Sequence, residues 1–96
     1  MIFGTVYGGG VLVNGVFAGL AFALDSSGSR VSGFSTYARM SAAAQGAYNA
    51  EAMVSLTDNV GVIVGLLGDG ANPASTYDGA RIGNIVVVNK TTGARI

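Results

Sequence analysis

One short phrase, glycine followed by a small residue, an arginine and an aliphatic residue, occurs three times in this chain. Its copies are Gly28-Ser29-Arg30-Val31, Gly79-Ala80-Arg81-Ile82 and Gly93-Ala94-Arg95-Ile96. A turn-forming residue precedes each copy, at Asp25, Asp78 and Asn89. The side chain of Asp or Asn closes turns, and glycine adopts the positive φ that tight hairpin turns and their bulges need. We therefore expect each phrase to close a β-hairpin and to begin its returning strand.

The chain has far fewer charged residues than a typical soluble domain. Its 96 residues are 10% charged and 50% hydrophobic, with a formal net charge of zero, whereas about 25% charged residues are usual. A chain of this length suits one domain, and such a small domain has a large surface for its volume. Because little charge is present to solvate that surface, we expect a single β-rich domain over residues 1–96 that is largely buried against other subunits.

The distribution of apolar residues predicts an all-β protein, a small antiparallel sandwich or barrel-like domain of hairpins. Alternating or continuously apolar runs between turn residues are typical of strands. Such runs cover residues 1–7, 11–24 with bends at Gly15 and Gly19, 30–37, 47–57, 60–67, 81–89 and 94–96. The Ala-rich stretch near residues 38–46 predicts either one short helix or an irregular loop.

The residues that carry most enzyme and metal chemistry are missing. The chain has no His and no Cys, which excludes a Ser-His-Asp triad, a thiol nucleophile and most zinc sites within one chain. Its four Asp residues lie in expected turns, where hydrogen bonding to the backbone is their usual role. We expect no enzymatic activity, no cofactor, and no catalytic, cofactor-binding or metal-binding residues. Nucleic acid is not an expected partner, because no cluster of Lys and Arg is present to contact phosphates.

These features favour a structural protein that assembles with itself and with other structural proteins. Small phage virion components, such as capsid decoration, head-fibre or tail-associated proteins, have a similar economy of composition. The candidate assembly contacts are the arginines of the repeated phrase and two tyrosines, a residue type enriched at interfaces. They are Arg30, Arg81, Arg95, Tyr37 and Tyr77.

Two alternative functions use the same apolar strands differently. Hairpins from several subunits could combine into a membrane-associated pore, since a membrane-spanning strand needs only about 9–11 residues. This alternative is less favoured, because no aromatic girdle brackets residues 11–24. Uncharged, β-prone runs at residues 60–67 and 85–88 could instead form a fibril or a pilus-like subunit.

The amino-terminal residues lack the basic segment of a secretory signal. We therefore expect cytoplasmic synthesis without a signal peptide, followed by incorporation into a virion or another extracellular assembly.

Overall fold

Short antiparallel strands make up most of the regular structure of this protein. The computed structural model describes residues 1–5, 11–41, 49–67 and 76–96. The strands in these ranges are β1 (Ile2–Thr5), β2 (Leu12–Val13), β3 (Val16–Phe17), β4 (Ala21–Leu24), β5 (Asn49–Ser55), β6 (Val60–Leu66), β7 (Thr76–Tyr77), β8 (Ala80–Arg81) and β9 (Ile85–Asn89). A 3₁₀ turn spans Tyr37–Arg39. The prediction of an all-β protein is confirmed.

The described strands form four small antiparallel sheets. Strand β1 pairs with β4, β2 with β3, and β7 with β8, while the largest sheet has the order β5-β6-β9. Within the described ranges these sheets stay separate, so the hairpins do not join into one closed sheet. The Cα radius of gyration is 12.2 Å, which matches the value of about 12.5 Å for a compact chain of this length.

The three repeated phrases occupy hairpin turns, as the sequence predicts. Gly28, Gly79 and Gly93 have φ angles of 83°, 77° and 82°. Each arginine pairs with a residue of the incoming strand: Leu24 with Arg30, Thr76 with Arg81, and Val88 with Arg95. The expectation that each phrase closes a hairpin and starts its return is therefore confirmed.

The apolar run over residues 11–24 is not one continuous strand, and turns lie at both of its expected bends. Gly19, with a φ of 69°, lies in the turn between β3 and β4, and a two-residue turn at Asn14 and Gly15, with φ angles of 50° and 77°, separates β2 from β3. Positive φ at both central residues is the geometry of a type I′ turn, which Asn-Gly favours. No strand runs over residues 30–37 either, because the chain turns where the N–H of Phe34 donates to the carbonyl of Val31 at 3.2 Å.

Other strand boundaries differ more modestly from expectation. The strand expected at residues 81–89 is two strands, β8 and β9, because Asn84 leaves the pairing of both and its carbonyl accepts from the N–H of Gly65 at 3.1 Å. The strands expected over 47–57 and 60–67 are confirmed as β5 and β6 in their described parts, and residues 47–48 lie outside the described ranges. The candidate helix at 38–46 is only partly described: its first two residues belong to the 3₁₀ turn, and residues 42–46 lie outside the described ranges. Residues 6–7 of the first expected strand also lie outside them.

The hydrophobic core joins β4 to one face of the three-stranded sheet. Among its members, Ile63 of β6 and Val88 of β9 are completely buried. The other buried side chains of this cluster come from several segments of the chain: Leu20, Ala21, Ala23, Phe34, Met40, Ala50, Leu67, Tyr77, Ile82 and Val86. The sheet therefore has an inner face on the core and an outer face directed away from it.

Candidate interaction surface

The outer face of the three-stranded sheet is almost entirely aliphatic. Its cross-strand rows are Ala52-Val64-Ile85, Val54-Val62-Val87 and Leu56-Val60-Asn89. These nine residues are called the outer face from here on. Eight of them are aliphatic and none is charged. A sheet with one solvated side usually carries polar residues there, so this composition is typical of a sheet that is covered on both sides.

A β-bulge in β5 directs its aliphatic residues to the outer face. The register shifts between Ala50 and Ala52, which leaves Glu51 as the extra residue. Without the bulge, Ala50 and Ala52 would lie on the same side of the strand, because side chains alternate with a period of two. With it, Ala50 is buried in the core, and Ala52 and Val54 pair across the outer face with residues of β6.

The outer face is substantially exposed to water in the single chain. Val54, Leu56 and Ile85, on the flanking strands, are 53%, 62% and 61% exposed. The residues of the central strand on this face are half-buried. Removing apolar surface from water gains about 25 cal/mol per Å². Covering the outer face would therefore stabilise the protein.

Both edges of the sheet limit the addition of further strands. Along β9, the N–H of Ile96 donates to the carbonyl of Val87 at 2.8 Å, and the N–H of Asn89 donates to the carbonyl of Ala94 at 2.7 Å. Along β5, the bulge places the exposed charge of Glu51 at the edge. Bulges, charges and covering segments are the features by which natural sheets prevent edge-to-edge pairing. The face of this sheet is thus more open to a partner than its edges.

The charged side chains of Arg39, Asp78 and Lys90 form contacts outside the nine residues of the outer face. Arg39 Nη1 lies 3.0 Å from Asp78 Oδ1, and Asp78 Oδ2 accepts a hydrogen bond from the N–H of Arg95 at 2.8 Å. Lys90 Nζ donates to the carbonyl of Thr57 at 3.2 Å. These contacts join loops and turns, and the outer face remains electrically neutral.

The three arginines proposed from the sequence as assembly contacts do not belong to the outer face. Arg81 and Arg95 are exposed, and Arg30 is half-buried. Each begins the return of a different hairpin, so the fold separates them along the chain's turns. Their role in assembly stays a prediction.

The two candidate tyrosines have different positions. Tyr37 is half-buried, and its ring stacks on that of Phe17 with the centroids 5.0 Å apart. Tyr77 is completely buried, and its hydroxyl donates to the carbonyl of Gly93 at 2.6 Å. Burial raises the pKa of Tyr77, so the hydroxyl stays protonated and keeps donating. Tyr77 is therefore a core residue in this fold and offers no surface to another subunit.

A second apolar surface lies on the β2-β3 hairpin. Leu12, Val16 and Phe17 are 55%, 45% and 45% exposed, and the preceding Val11 is 40% exposed. The hairpin is short, with only the pairs Leu12-Phe17 and Val13-Val16.

Sequence reasoning did not single out the outer-face residues as a site. A signal was present in residues 60–67, where apolar residues occupy both faces of one strand, a pattern of strands covered on both sides. The bulge that adds Ala52 and Val54 to the surface has no such signal.

The described residues contain no group of three or more acidic side chains placed to hold a metal ion. In the same ranges, no helix is long and apolar enough to cross a membrane. Comparisons with protein-family models, curated proteins and solved structures found no match. The outer face is thus the feature of the described molecule that points most directly to a function.

Proposed function

We propose that this protein is a non-enzymatic structural subunit that assembles with copies of itself, as a small virion component would. The observation that carries the proposal is the neutral, aliphatic outer face. It occurs in a chain with 10% charged residues and no net charge, which removes the electrostatic repulsion that keeps subunits apart. The occupant that we propose for the outer face is the same face of a second copy.

The chemistry of the outer face favours a second copy over a charged partner. A partner that presented a charge to these aliphatic residues would bury it without a counter-charge, which costs several kcal/mol. The outer face of another copy presents Val and Ile side chains on a similarly pleated surface. Two such sheets pack about 10 Å apart with their side chains interdigitated, as in a β-sandwich. Identical faces of this kind meet about a twofold axis, the commonest symmetry of soluble oligomers.

The size of the outer face predicts an association of moderate strength. Strands lie about 4.8 Å apart and residues on one face repeat about every 6.8 Å, so nine positions cover about 300 Å². A standard stable interface buries about 800 Å² per partner. Ile96 is 61% exposed and lies beside Val87 at the edge of β9, where its N–H donates to the Val87 carbonyl. Its side chain adds to the apolar surface. We infer that the outer face forms the apolar centre of the interface and that neighbouring residues form its rim.

The protected edges favour a closed oligomer over a fibril. A fibril grows by adding strands to open sheet edges, whereas here the C-terminal residues cover part of β9 and a bulge with Glu51 interrupts β5. When the outer faces of two subunits pack against each other, both faces are buried and neither can bind a third subunit. The fibril-like and pore-forming alternatives then become outcomes that the same experiments distinguish.

A charge placed on the outer face tests the proposal. Val54→Lys adds an ammonium group at a position that is 53% exposed in the single chain. The aliphatic stem of the lysine can lie on the sheet while its charge reaches water, so the single subunit should keep its fold. In the dimer the same charge would be buried, so we expect Val54→Lys to shift the protein to monomers, measured by size-exclusion chromatography with light scattering.

Leu12→Lys is the matched control for this experiment. Leu12 is 55% exposed, lies on a strand and gives the same change in net charge, but it belongs to the β2-β3 hairpin. We expect the Leu12→Lys protein to retain the wild-type mass, and circular dichroism to show that both variants are folded. Retention of the oligomer by Val54→Lys, or dissociation by Leu12→Lys alone, would contradict the proposed location of the interface.

We propose that other structural proteins of a larger assembly are further partners of this subunit. Zero net charge and a surface poor in charge suit a protein that is mostly covered in a lattice, such as a capsid or tail. We propose the virion, or another extracellular assembly, as its destination. Detection of the chain in purified particles, and its loss from particles made with Val54→Lys, would support this destination; its absence from them would contradict it.

A further inference from the structure

The turn of the β2-β3 hairpin brings together an exposed asparagine and a glycine. Asn14 and Gly15 are both exposed and form the two central residues of the turn, with φ angles of 50° and 77°. A Cβ atom built on Gly15 would have no atom within 4 Å. Gly15 therefore has no side chain beside its backbone nitrogen, and the space next to its Cα atom is open.

We propose that Asn14 is a site of non-enzymatic deamidation. The backbone nitrogen of Gly15 loses its proton and forms a bond to Cγ of Asn14, the bond from Cγ to the side-chain nitrogen breaks, and ammonia leaves. The resulting succinimide adds water at one of its two carbonyl groups and opens to aspartate or to isoaspartate. The co-reactant is water, and no atom is oxidised or reduced.

The sequence around the other described asparagines disfavours the same reaction. Asn49, Asn59, Asn84 and Asn89 precede Ala50, Val60, Ile85 and Lys90. Each of these following residues has a side chain, which obstructs approach of the backbone nitrogen to Cγ. Asn89 is restrained further, because its Oδ1 accepts hydrogen bonds from the N–H groups of Thr91 and Thr92 at 2.8 and 3.1 Å. Asn14 combines a following glycine with exposure.

Because the hairpin is small, it can open locally and allow Asn14 to adopt the conformation needed for cyclisation. Cyclisation requires Asn14 to leave the left-handed conformation that the turn imposes. The hairpin is held by the pairs Leu12-Phe17 and Val13-Val16, by the hydrogen bond from the N–H of Ala18 to the carbonyl of Val11 at 3.0 Å, and by the stacking of Phe17 on Tyr37. Two-stranded pairings of this size are marginally stable. Local opening with a low free-energy cost then exposes the reactive conformation without global unfolding.

The two products differ in their effect on the hairpin. Aspartate fits the turn, because Asp78 and Gly79 form a turn with φ angles of 50° and 77° between β7 and β8 in this same chain. Isoaspartate inserts an additional carbon into the backbone of a two-residue turn, which prevents the strands from keeping their register. Either product places a negative charge among the exposed apolar side chains of the hairpin.

Peptide mapping of the folded protein tests the proposal. The purified full chain is incubated at 37 °C at neutral and at mildly alkaline pH, digested, and analysed by mass spectrometry for conversion of amide to acid. We expect conversion at Asn14 before conversion at Asn49, Asn59, Asn84 or Asn89, and we expect it to be faster at the higher pH. An isoaspartate-specific methyltransferase assay should detect the second product.

Asn14→Gly is the control variant, because Gly-Gly also forms this turn. Its intact mass should stay constant over the period in which the wild type gains the mass of the amide-to-acid change. Earlier conversion at another asparagine, equal conversion in Asn14→Gly, or a constant wild-type mass would overturn the proposal. Circular dichroism of both proteins before and after incubation identifies any conversion that follows unfolding.

Discussion

One buried hydroxyl group satisfies the backbone of a neighbouring segment. Thr36 is completely buried, and its Oγ1 accepts hydrogen bonds from the N–H groups of Leu20 and Ala21 at 2.9 and 3.2 Å. The same hydroxyl lies 2.8 Å from the carbonyl of Ala18, to which it donates. A Cβ atom at Gly19 would lie 2.7 Å from this oxygen, so the close approach of the two segments requires glycine there.

Replacing Thr36 by valine should destabilise the protein strongly. The substitution keeps the shape of the side chain but leaves buried N–H groups without an acceptor, at a cost of about 1–3 kcal/mol each. Thr57→Val is the matched control, because Thr57 Oγ1 also accepts from two N–H groups, those of Asn59 and Val60, at 3.2 and 3.0 Å. Thr57 is exposed, so water can replace its hydroxyl. Urea unfolding should show a larger loss for Thr36→Val; equal losses would contradict this account.

Alanine substitutions at Gly93 and Gly79 distinguish the cost of backbone strain from the cost of steric overlap. Both have positive φ, 82° and 77°, so alanine at either position costs about 1–2 kcal/mol in the left-handed conformation. A Cβ atom on Gly93 would also overlap the carbonyl oxygen of Ser35, whereas one on Gly79 meets no atom within 4 Å. We therefore expect Gly93→Ala to lower the free energy of unfolding more than Gly79→Ala does in urea titrations. A similar or smaller loss for Gly93→Ala would show that this contact is unimportant.

At the scale of elements, the turns of the repeated phrase follow from local chemistry. Asp25 Oδ1 accepts hydrogen bonds from the N–H groups of Ser27 and Ser29 at 2.9 and 3.0 Å, and from the Ser27 hydroxyl at 2.6 Å. These partners lie within four residues of Asp25, so local contacts stabilise the turn that the sequence predicts there. The turn at Asn14 and Gly15 depends on equally local information, since Asn-Gly is a strong hairpin signal. The bend expected at Gly15 is the complete reversal of the chain between β2 and β3.

Acid should weaken the hairpin turn at Asp25. The hydrogen bonds from Ser27 and Ser29 hold the pKa of Asp25 below its ordinary value of 3.8. A pKa that is lower in the folded state gives stability that is present above 3.8 and is lost as the pH falls through the lower folded value. The difference in urea midpoint between the wild type and Asp25→Asn should therefore shrink on acidification. A difference that is constant or increases at low pH would contradict this origin.

The outer face could be only partly predicted, because it depends on tertiary structure. The β-branched residues of β6 and β9 predict strands, and the structure has strands there. The bulge at Glu51 that turns Ala52 and Val54 outward arises from pairing with β6, which involves residues distant in sequence. Tyr77 illustrates the same limit, since the acceptor of its hydroxyl, Gly93, is 16 residues away.

At the scale of the whole molecule, the distribution of apolar surface is the central property. The chain has enough hydrophobic residues to fill the core and also to make the outer face of the sheet apolar. Few charged residues remain to solvate the other parts of its surface. A sheet that is apolar on both sides is usual when both sides are covered. The self-association that we propose would account for both the outer face and the low charge.

The absolute mass of the wild-type protein across a range of concentrations, in buffer without detergent, tests this claim most directly. Size-exclusion chromatography with light scattering should show a mass that rises from that of the 9.6 kDa chain to a discrete multiple, because an interface of moderate area dissociates on dilution. A twofold interface predicts that the first multiple is the dimer. A monomer at every concentration, or growth without limit, would contradict the account.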